Sequence, residues 1–371
     1  MDFDFSDDQE QLRDAVRKWV GKGYDFDRRR AIVAAGGFDR SAYTELAELG
    51  LTGLYVSEEH GGMGMGPTEA MVAMEELGRG IVLEPLTQTL IASATLQTHA
   101  PAALQAAWLP RMATGEAIVV LAHQERAARY QLNRCAAVGS ESGGAWTVSG
   151  TKSVVAVGDQ ADAFIVPAMA KGALALFLVE RSTSGVSTQG YLTQDGSRAA
   201  EVVLSQASAQ LITLNGLSAL EEAVDIGIAC SCAEAVGVMD KTLAITVDYM
   251  NTRKQFGVAI ASFQALRHRV ADMKMQLELG RSMSYYASLK LHAPTEERRR
   301  AMARAKYQLG TSMRFIGQQA VQLHGGIAVT DEYIVSHYFK KLTQLDMTFG
   351  DTLHQLGEVS ARMQETAGVF A

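Results

Sequence analysis

Two short segments carry the residue types that can grip a charged ligand. The first is NTRKQFGVAIASFQALRHRVADM, residues 251–273. Arg253 stands at an expected helix end, Gly257 marks a turn, and a new helix is expected from about Ser262. A guanidinium beside a turn can clamp a phosphate through paired hydrogen bonds; the plain alternative is a solvated surface arginine. The second is AVQLHGGIAVTDEY, residues 320–333. There Gly325 and Gly326 close a helix and let a ligand approach the backbone, although a simple helix C-cap accounts for the same pair.

The rest of the chain narrows what that ligand is. A net charge of −7 argues against nucleic acid, which needs a positive surface. No window approaches the ~18 consecutive apolar residues of a membrane helix. The start, MDFDFSDDQEQL, is acidic and lacks a basic and then apolar leader, so a cytoplasmic protein is expected. Cys135, Cys230 and Cys232 form neither a disulfide framework nor a metal-ligand spacing. Cys230 and Cys232 read as small apolar fillers of a helix. The glycine-rich EEHGGMGMGP follows no strong strand, so a tight loop explains it better than a dinucleotide fingerprint.

The elements that must position these segments fall into three zones. Residues 1–115 read as helices. Ser6 and Gln9 make a capping-box start, with Leu12, Ala15, Val16, Trp19 and Val20 as one apolar stripe. A second helix runs through YTELAELGL to Gly50, and a third starts after Pro67 with Met71, Met74 and Leu77 facing inward. Residues 116–210 hold short β-branched runs, AIVVLA, WTVSG, SVVAV, AFIVPA, LALFLVE and EVVL. Turn clusters such as GSESGG and RSTSGVS separate them, as in a small barrel or sandwich. Helical periodicity returns over 211–371, where a four-helix bundle is expected. The fold class is therefore α+β, and the absence of βαβ alternation argues against a Rossmann domain.

The two ligand-type segments, their separation and the helix–strand–helix order resemble the acyl-CoA dehydrogenase family. DFSDDQEQLRDAVRKWV, ELAELGLTGL and EEHGGMGMGPTEAMVAMEELGRG fit that family too, so the resemblance spans nearly the whole chain. It is nearest to the small subunits of heteromeric members, such as those called pimeloyl-CoA dehydrogenase small subunits, with kin in steroid-degrading pairs. The resemblance implies FAD as cofactor and an acyl-CoA thioester as substrate. A proton leaves the carbon beside the thioester carbonyl and a hydride leaves the next carbon for the flavin, with the thioester oxygen polarised by hydrogen bonds. It also implies a cofactor shared across a subunit interface. Arg253 matches the arginine that meets the pyrophosphate, with Gln255, Phe256 and Gln264 as companions and Gln322, Gly325 and Gly326 as a second strip. A cation with backbone N–H groups suits that diphosphate.

Other positions depart from the family pattern. Where members carry a tyrosine-like residue and then x-V/S-T-E, this chain reads LAHQE at 121–125, keeping only Glu125. After G-x-K it places Val154 and Ala156 where an aromatic and a hydroxyl residue are usual. Valine does not stack on a flavin ring, and alanine offers its edge no hydrogen bond. The usual base, a glutamate in Y-E-G-T, corresponds to FGDT at 349–352, with Gly350 in the glutamate's place. The alternative position, thirty residues before Gly257, is Gly227. Asp351 stands one residue late and one methylene short. A displacement of about 1 Å can cost on the order of a hundredfold in rate, and an Asx-turn or helix N-cap role explains Asp351 as well.

A division of labour is therefore expected. This chain would supply the pyrophosphate cradle to a homologous α subunit in a heterotetramer. The alternatives are a self-sufficient homotetramer using Asp351 as base and a non-catalytic stabilising subunit. Family analogy implies an electron-transfer flavoprotein as acceptor, and the kinship leans to bulky or dicarboxylic acyl groups. His324 could donate to a phosphate or flavin edge, or pack as a satisfied core histidine. Asp346 is expected to meet the Lys340–Lys341 pair. Arg298, Arg299, Arg300, Lys340 and Lys341 read as solvated helix faces.

Overall fold

The computed structural model describes residues 5–366. Helix α1 (Asp7–Gly23) opens with the anticipated capping box: the Ser6 side chain accepts from the Gln9 backbone, and the Gln9 side chain returns the favour to Ser6 N–H. Only Val16 of the apolar stripe is fully buried. Helices α2 (Phe26–Ala34) and α3 (Arg40–Glu48) follow, and Asp39 caps α3 through Ser41 N–H. Helix α4 (Pro67–Arg79) starts on its proline and buries Met71, Met74 and Leu77. Helices α5 (Leu86–His99) and α6 (Ala102–Ala113) lead into the sheet. The EEHGG segment is a single helical turn at Glu58–His60 and then a tight loop, in which a Cβ on Gly62 would collide with the Val56 backbone.

Seven strands form one sheet: β1 (Val119–Leu121), β2 (Val138–Ser142), β3 (Ala145–Ala156), β4 (Ala163–Ala170), β5 (Ala173–Glu180), β6 (Val186–Leu192) and β7 (Arg198–Thr213). The pairings β4–β2, β2–β3, β3–β7, β7–β5 and β5–β4 close a ring, with β1 joined to β4 and β6 to β7. The closed ring packs its interior with side chains, while β1 and β6 each pair with one neighbour only. Trp146, Val148, Phe164, Val166, Phe177, Val202 and Leu204 belong to that core. Two anticipated strand runs, WTVSG and SVVAV, are a single strand. Two turn clusters prove partly to be strand: GSESGG supplies β2 and its hairpin at Gly143–Gly144, and RSTSGVS leads into β6.

The remaining chain is helical: α7 (Gly216–Thr252), α8 (Gln264–Lys290), α9 (Thr295–His324), α10 (Ile334–Met347) and α11 (Thr352–Thr366). The hairpin of β8 (Lys254–Gln255) and β9 (Val258–Ala259) links α7 to α8. The chain divides into two compact units, one of residues 1–28, 67–82 and 228–371, the other of 29–66 and 83–227. In the first, α4 and α7 touch backbone to backbone: a Cβ on Gly237 would strike the Glu75 carbonyl, and one on Gly78 the Glu234 carbonyl.

Several surface expectations are corrected. Arg298 is buried, and Lys341 is buried in an ion pair with Glu234 at 2.6 Å, so neither lies on a solvated face. Lys340 pairs with Asp331 at 2.5 Å. Asp346 does not meet that lysine pair. It accepts from Thr352 Oγ1 at 2.6 Å and Thr352 N at 3.2 Å, with Arg314 at 3.6 Å. Its carboxylate thereby ties the end of α10 to the start of α11. Cys230 and Cys232 are buried fillers, and burial pushes both thiols up to about 12. Among the described residues no helix is long and apolar enough to cross a membrane, and no cluster of metal-binding side chains occurs.

Candidate functional site

The arginine segment folds as a hairpin on the end of α7. Arg253 N–H donates to the Tyr249 carbonyl at 2.8 Å, and Ile260 N–H donates to the Arg253 carbonyl at 2.9 Å. Phe256 (φ 54°) and Gly257 (φ 82°) form the tip, where glycine makes the reversal easy and phenylalanine does not. The Phe256 ring is 91% exposed and stands edge-on to Phe263, centroid to centroid 6.1 Å, just before Gln264 opens α8.

The glycine strip lies at the end of α9. Tyr249 joins it to the hairpin, because its hydroxyl donates to the His324 carbonyl at 3.2 Å and its ring lies 4.4 Å from the His324 ring. Arg253 and the Gln322–Gly326 strip therefore flank one tyrosine. The side chains of Arg253, Gln255, Gln264 and Gln322 are exposed and make no hydrogen bond or ion pair among the described residues. A Cβ on Gly257, Gly325 or Gly326 would meet nothing within 4 Å. One free cation, three free amides and a shelf without side chains fit a diphosphate. The Gly325 N–H is spent on the Val321 carbonyl, so that residue offers room rather than a donor.

The candidate base sits differently. Asp351 accepts from His354 N–H at 2.9 Å, and its carbonyl accepts from Gln355 N–H at 2.9 Å, which makes it the N-cap of α11. Gly350 has φ 106°, and a Cβ there would lie 2.5 Å from Gln355 Nε2 and 2.7 Å from His354 Cδ2. The positive φ strains any side chain at 350, and a glutamate there would also have to displace the ends of the Gln355 and His354 side chains.

In the barrel, β3 and β7 lose register between Lys152 and Val155, where a bulge places Val154 at φ 54° and 48% exposed. Valine is a poor residue for that conformation. The fully buried Lys152 Nζ donates to Glu125 Oε1 at 2.6 Å, and Glu125 also accepts from Ala136 and Ala137 N–H at 2.7 and 3.1 Å. Burial alone would raise the Glu125 carboxyl, but the Lys152 and backbone hydrogen bonds outweigh it and hold it below the usual carboxylate range. Burial, and then the Lys152 charge, pushes His123 down to about 4, so that imidazole is neutral. Sequence reasoning took Lys152 as a landmark of G-x-K and missed it as the buried partner of Glu125. It also missed Tyr249, although a position four residues before Arg253 on one helix is the signal that finds it.

Helices, a closed small barrel and long helices again, in that chain order, define the class of fold. Two family models match the chain: acyl-CoA dehydrogenase, N-terminal domain, over residues 6–116, and acyl-CoA dehydrogenase, C-terminal domain, over 215–364. The chain belongs to the acyl-CoA dehydrogenase family, FAD-dependent oxidoreductases that act on CH–CH groups. Acyl-CoA dehydrogenase IpdE2 of Mycobacterium tuberculosis is 30% identical over 90% of this chain and 91% of its own length. A variant of the Tcur3481-Tcur3483 steroid ACAD superposes with a TM-score of 0.90 at 27% identity, covering 97% of this chain and 99% of its own. The ChsE4-ChsE5 complex of Mycobacterium tuberculosis has the same fold, with a TM-score of 0.90 at 24% identity over 99% and 100% of the two chains.

Proposed function

We propose that this chain is the β-type subunit of a heteromeric acyl-CoA dehydrogenase. It lends the pyrophosphate cradle (Arg253, Gln255, Phe256, Gln264, Gln322, Gly325 and Gly326) to a homologous α chain that carries the base and the flavin seat. The observation that carries this reading is the unequal state of the two halves. The cradle side chains stand free on an open surface. The glutamate position is a glycine at φ 106°, a conformation that strains any side chain, and Asp351 beside it is engaged as a helix cap. Bound FAD supplies the electron sink for α,β-desaturation of the acyl-CoA. This chain's own part is to neutralise the diphosphate through Arg253, to leave room for it at Gly325–Gly326, and to present Phe256 for covering. The similarity to a steroid ACAD named for two components supports a homologous partner and a bulky acyl group. An electron-transfer flavoprotein is the acceptor in this reading.

Co-expression with candidate homologous partners, followed by FAD and turnover assays on the purified complex and on the lone chain, tests the proposal. The complex is expected to hold FAD and turn over, and Asp351→Asn in this chain to leave that turnover unchanged, since asparagine also caps helices. Tight stoichiometric FAD with turnover in the lone chain, lost in Asp351→Asn, would establish the self-sufficient enzyme instead.

A further inference from the structure

His324 is buried, 4% exposed, yet only one of its ring nitrogens is satisfied. Its Nδ1 lies 2.8 Å from the Ala320 carbonyl, one helical turn back on α9. A carbonyl only accepts, so Nδ1 carries the proton, and in the neutral ring Nε2 is left as a bare acceptor. That Nε2 is shut from solvent and has no hydrogen-bond partner among the described residues. The ring is held between Tyr249, 4.4 Å away, and Tyr333, 5.4 Å away. Gly325 and Gly326, with open space above them, come next in the chain. A sealed lone pair without a donor carries a standing cost that a ligand's hydrogen bond would remove.

We propose that His324 Nε2 is a built acceptor for a neutral O–H or N–H on the adenosine side of the bound dinucleotide, leaving the phosphates to Arg253 and its companions. This rests on the cradle reading and differs from both roles anticipated for His324, a donor to a phosphate or flavin edge and a satisfied core histidine. Burial lowers the imidazole's affinity for a proton, against the smaller opposing pull of the Ala320 carbonyl, so the neutral acceptor form prevails. The titratable groups facing it are the Tyr249 and Tyr333 phenols, with Asp248 acting on Tyr333; no carboxylate or cation contacts the ring among the described residues. Tyr333 is half-buried and precedes α10, so of the two rings beside His324 it is one that reaches the surface.

The test is ADP binding to the full-length chain, followed by calorimetry across pH with wild type, His324→Phe, His324→Gln and Arg253→Ala. His324→Phe keeps an aromatic ring between the two tyrosines and is expected to weaken ADP about tenfold, the worth of one buried hydrogen bond. His324→Gln, which keeps an acceptor oxygen, is expected to recover part of that loss. The ratio of wild-type to Phe-variant affinity should shrink as pH falls, because a proton then occupies Nε2. A donor to phosphate gives the opposite trend. Long-range nitrogen–proton spectra should show the neutral Nδ1–H form in free and bound protein. Of the inosine, 2′-deoxyadenosine and 3′-deoxyadenosine diphosphates, one should lose the dependence on His324, and that one names the donor.

A ratio that grows at low pH, equal affinities of wild type and the Phe variant, or retained dependence with all three analogues overturns the inference. If Arg253→Ala binds ADP like wild type, or wild type fails to bind at millimolar ADP, the cradle reading itself falls. Weakening by Arg253→Ala alone sinks only the role of His324.

Discussion

Glu125 and Lys152 show what one residue does when its partner is fixed. The ammonium is fully buried and the carboxylate nearly so, 2.6 Å apart, with two backbone N–H groups completing the carboxylate's hydrogen bonds. Removing one charge strands the other in the barrel, so Glu125→Gln is expected to cost ~3 kcal/mol near neutral pH, read by urea unfolding. Adding Lys152→Met should restore much of that loss, because the stranded charge is then gone. The pH sign follows from a carboxyl held below its usual range. Its contribution is complete above the unfolded glutamate value of about 4.3 and disappears as pH falls through the lower folded value. The gap between wild type and Glu125→Gln should therefore narrow in acid; a constant gap from pH 7 to 3 would rule the pair out as its source. Glu125 was legible in the sequence as the survivor of a motif, but its partner was not. Twenty-seven residues separate the two, and only the register of β3 brings the lysine beneath it.

At the scale of elements, glycine decides how closely α4 and α7 lie. Gly78 and Gly237 each face the other helix's carbonyl at a distance that excludes even a methyl group. Alanine is the better helix former by about 1 kcal/mol, but overpacking costs ~1–3 kcal/mol and here the obstacle is backbone. Gly237→Ala is thus expected to lower stability by about 2 kcal/mol, seen as a lower unfolding midpoint; a rise would mean that the helices separate freely. Most helices were legible because caps and apolar spacing agree, as at Ser6–Gln9 and Pro67. Strands β2 (VGSES) and β6 (VSTQGYL) were not, since each is largely exposed and composed like a turn, and its neighbours in the sheet make it a strand. The proposed cradle residues stand out in the sequence because they cluster within two short segments. The tyrosine that joins those segments was hidden inside a 37-residue helix whose apolar residues run all round it.

At the scale of the whole molecule, each bound FAD needs two things, a cradle for its diphosphate and a seat for its ring. In the proposed reading this chain offers the first on the unit that contains 228–371, through side chains at 253, 255, 264 and 322 that are exposed and unbonded among the described residues. On the other unit, the positions that the family resemblance assigns to the ring carry Val154 and Ala156, and the bulge leaves that valine exposed. Two such chains paired with each other would have two cradles and no good seat. One such chain paired with a homologue whose seat and base are intact has one complete set, made from this cradle and that seat. The reciprocal set pairs the homologue's cradle with this chain's stripped seat and should stay empty. The expected loading is therefore one FAD for each pair of chains, measured as flavin absorbance against protein mass in the purified complex. Arg253→Ala in this chain should remove most of that flavin, with a loss that deepens as salt is lowered in wild type relative to the variant, because the contact is charged and exposed. A ratio of one FAD per chain would mean that Val154 and Ala156 serve as a seat after all, and the asymmetry on which the subunit assignment rests would be gone.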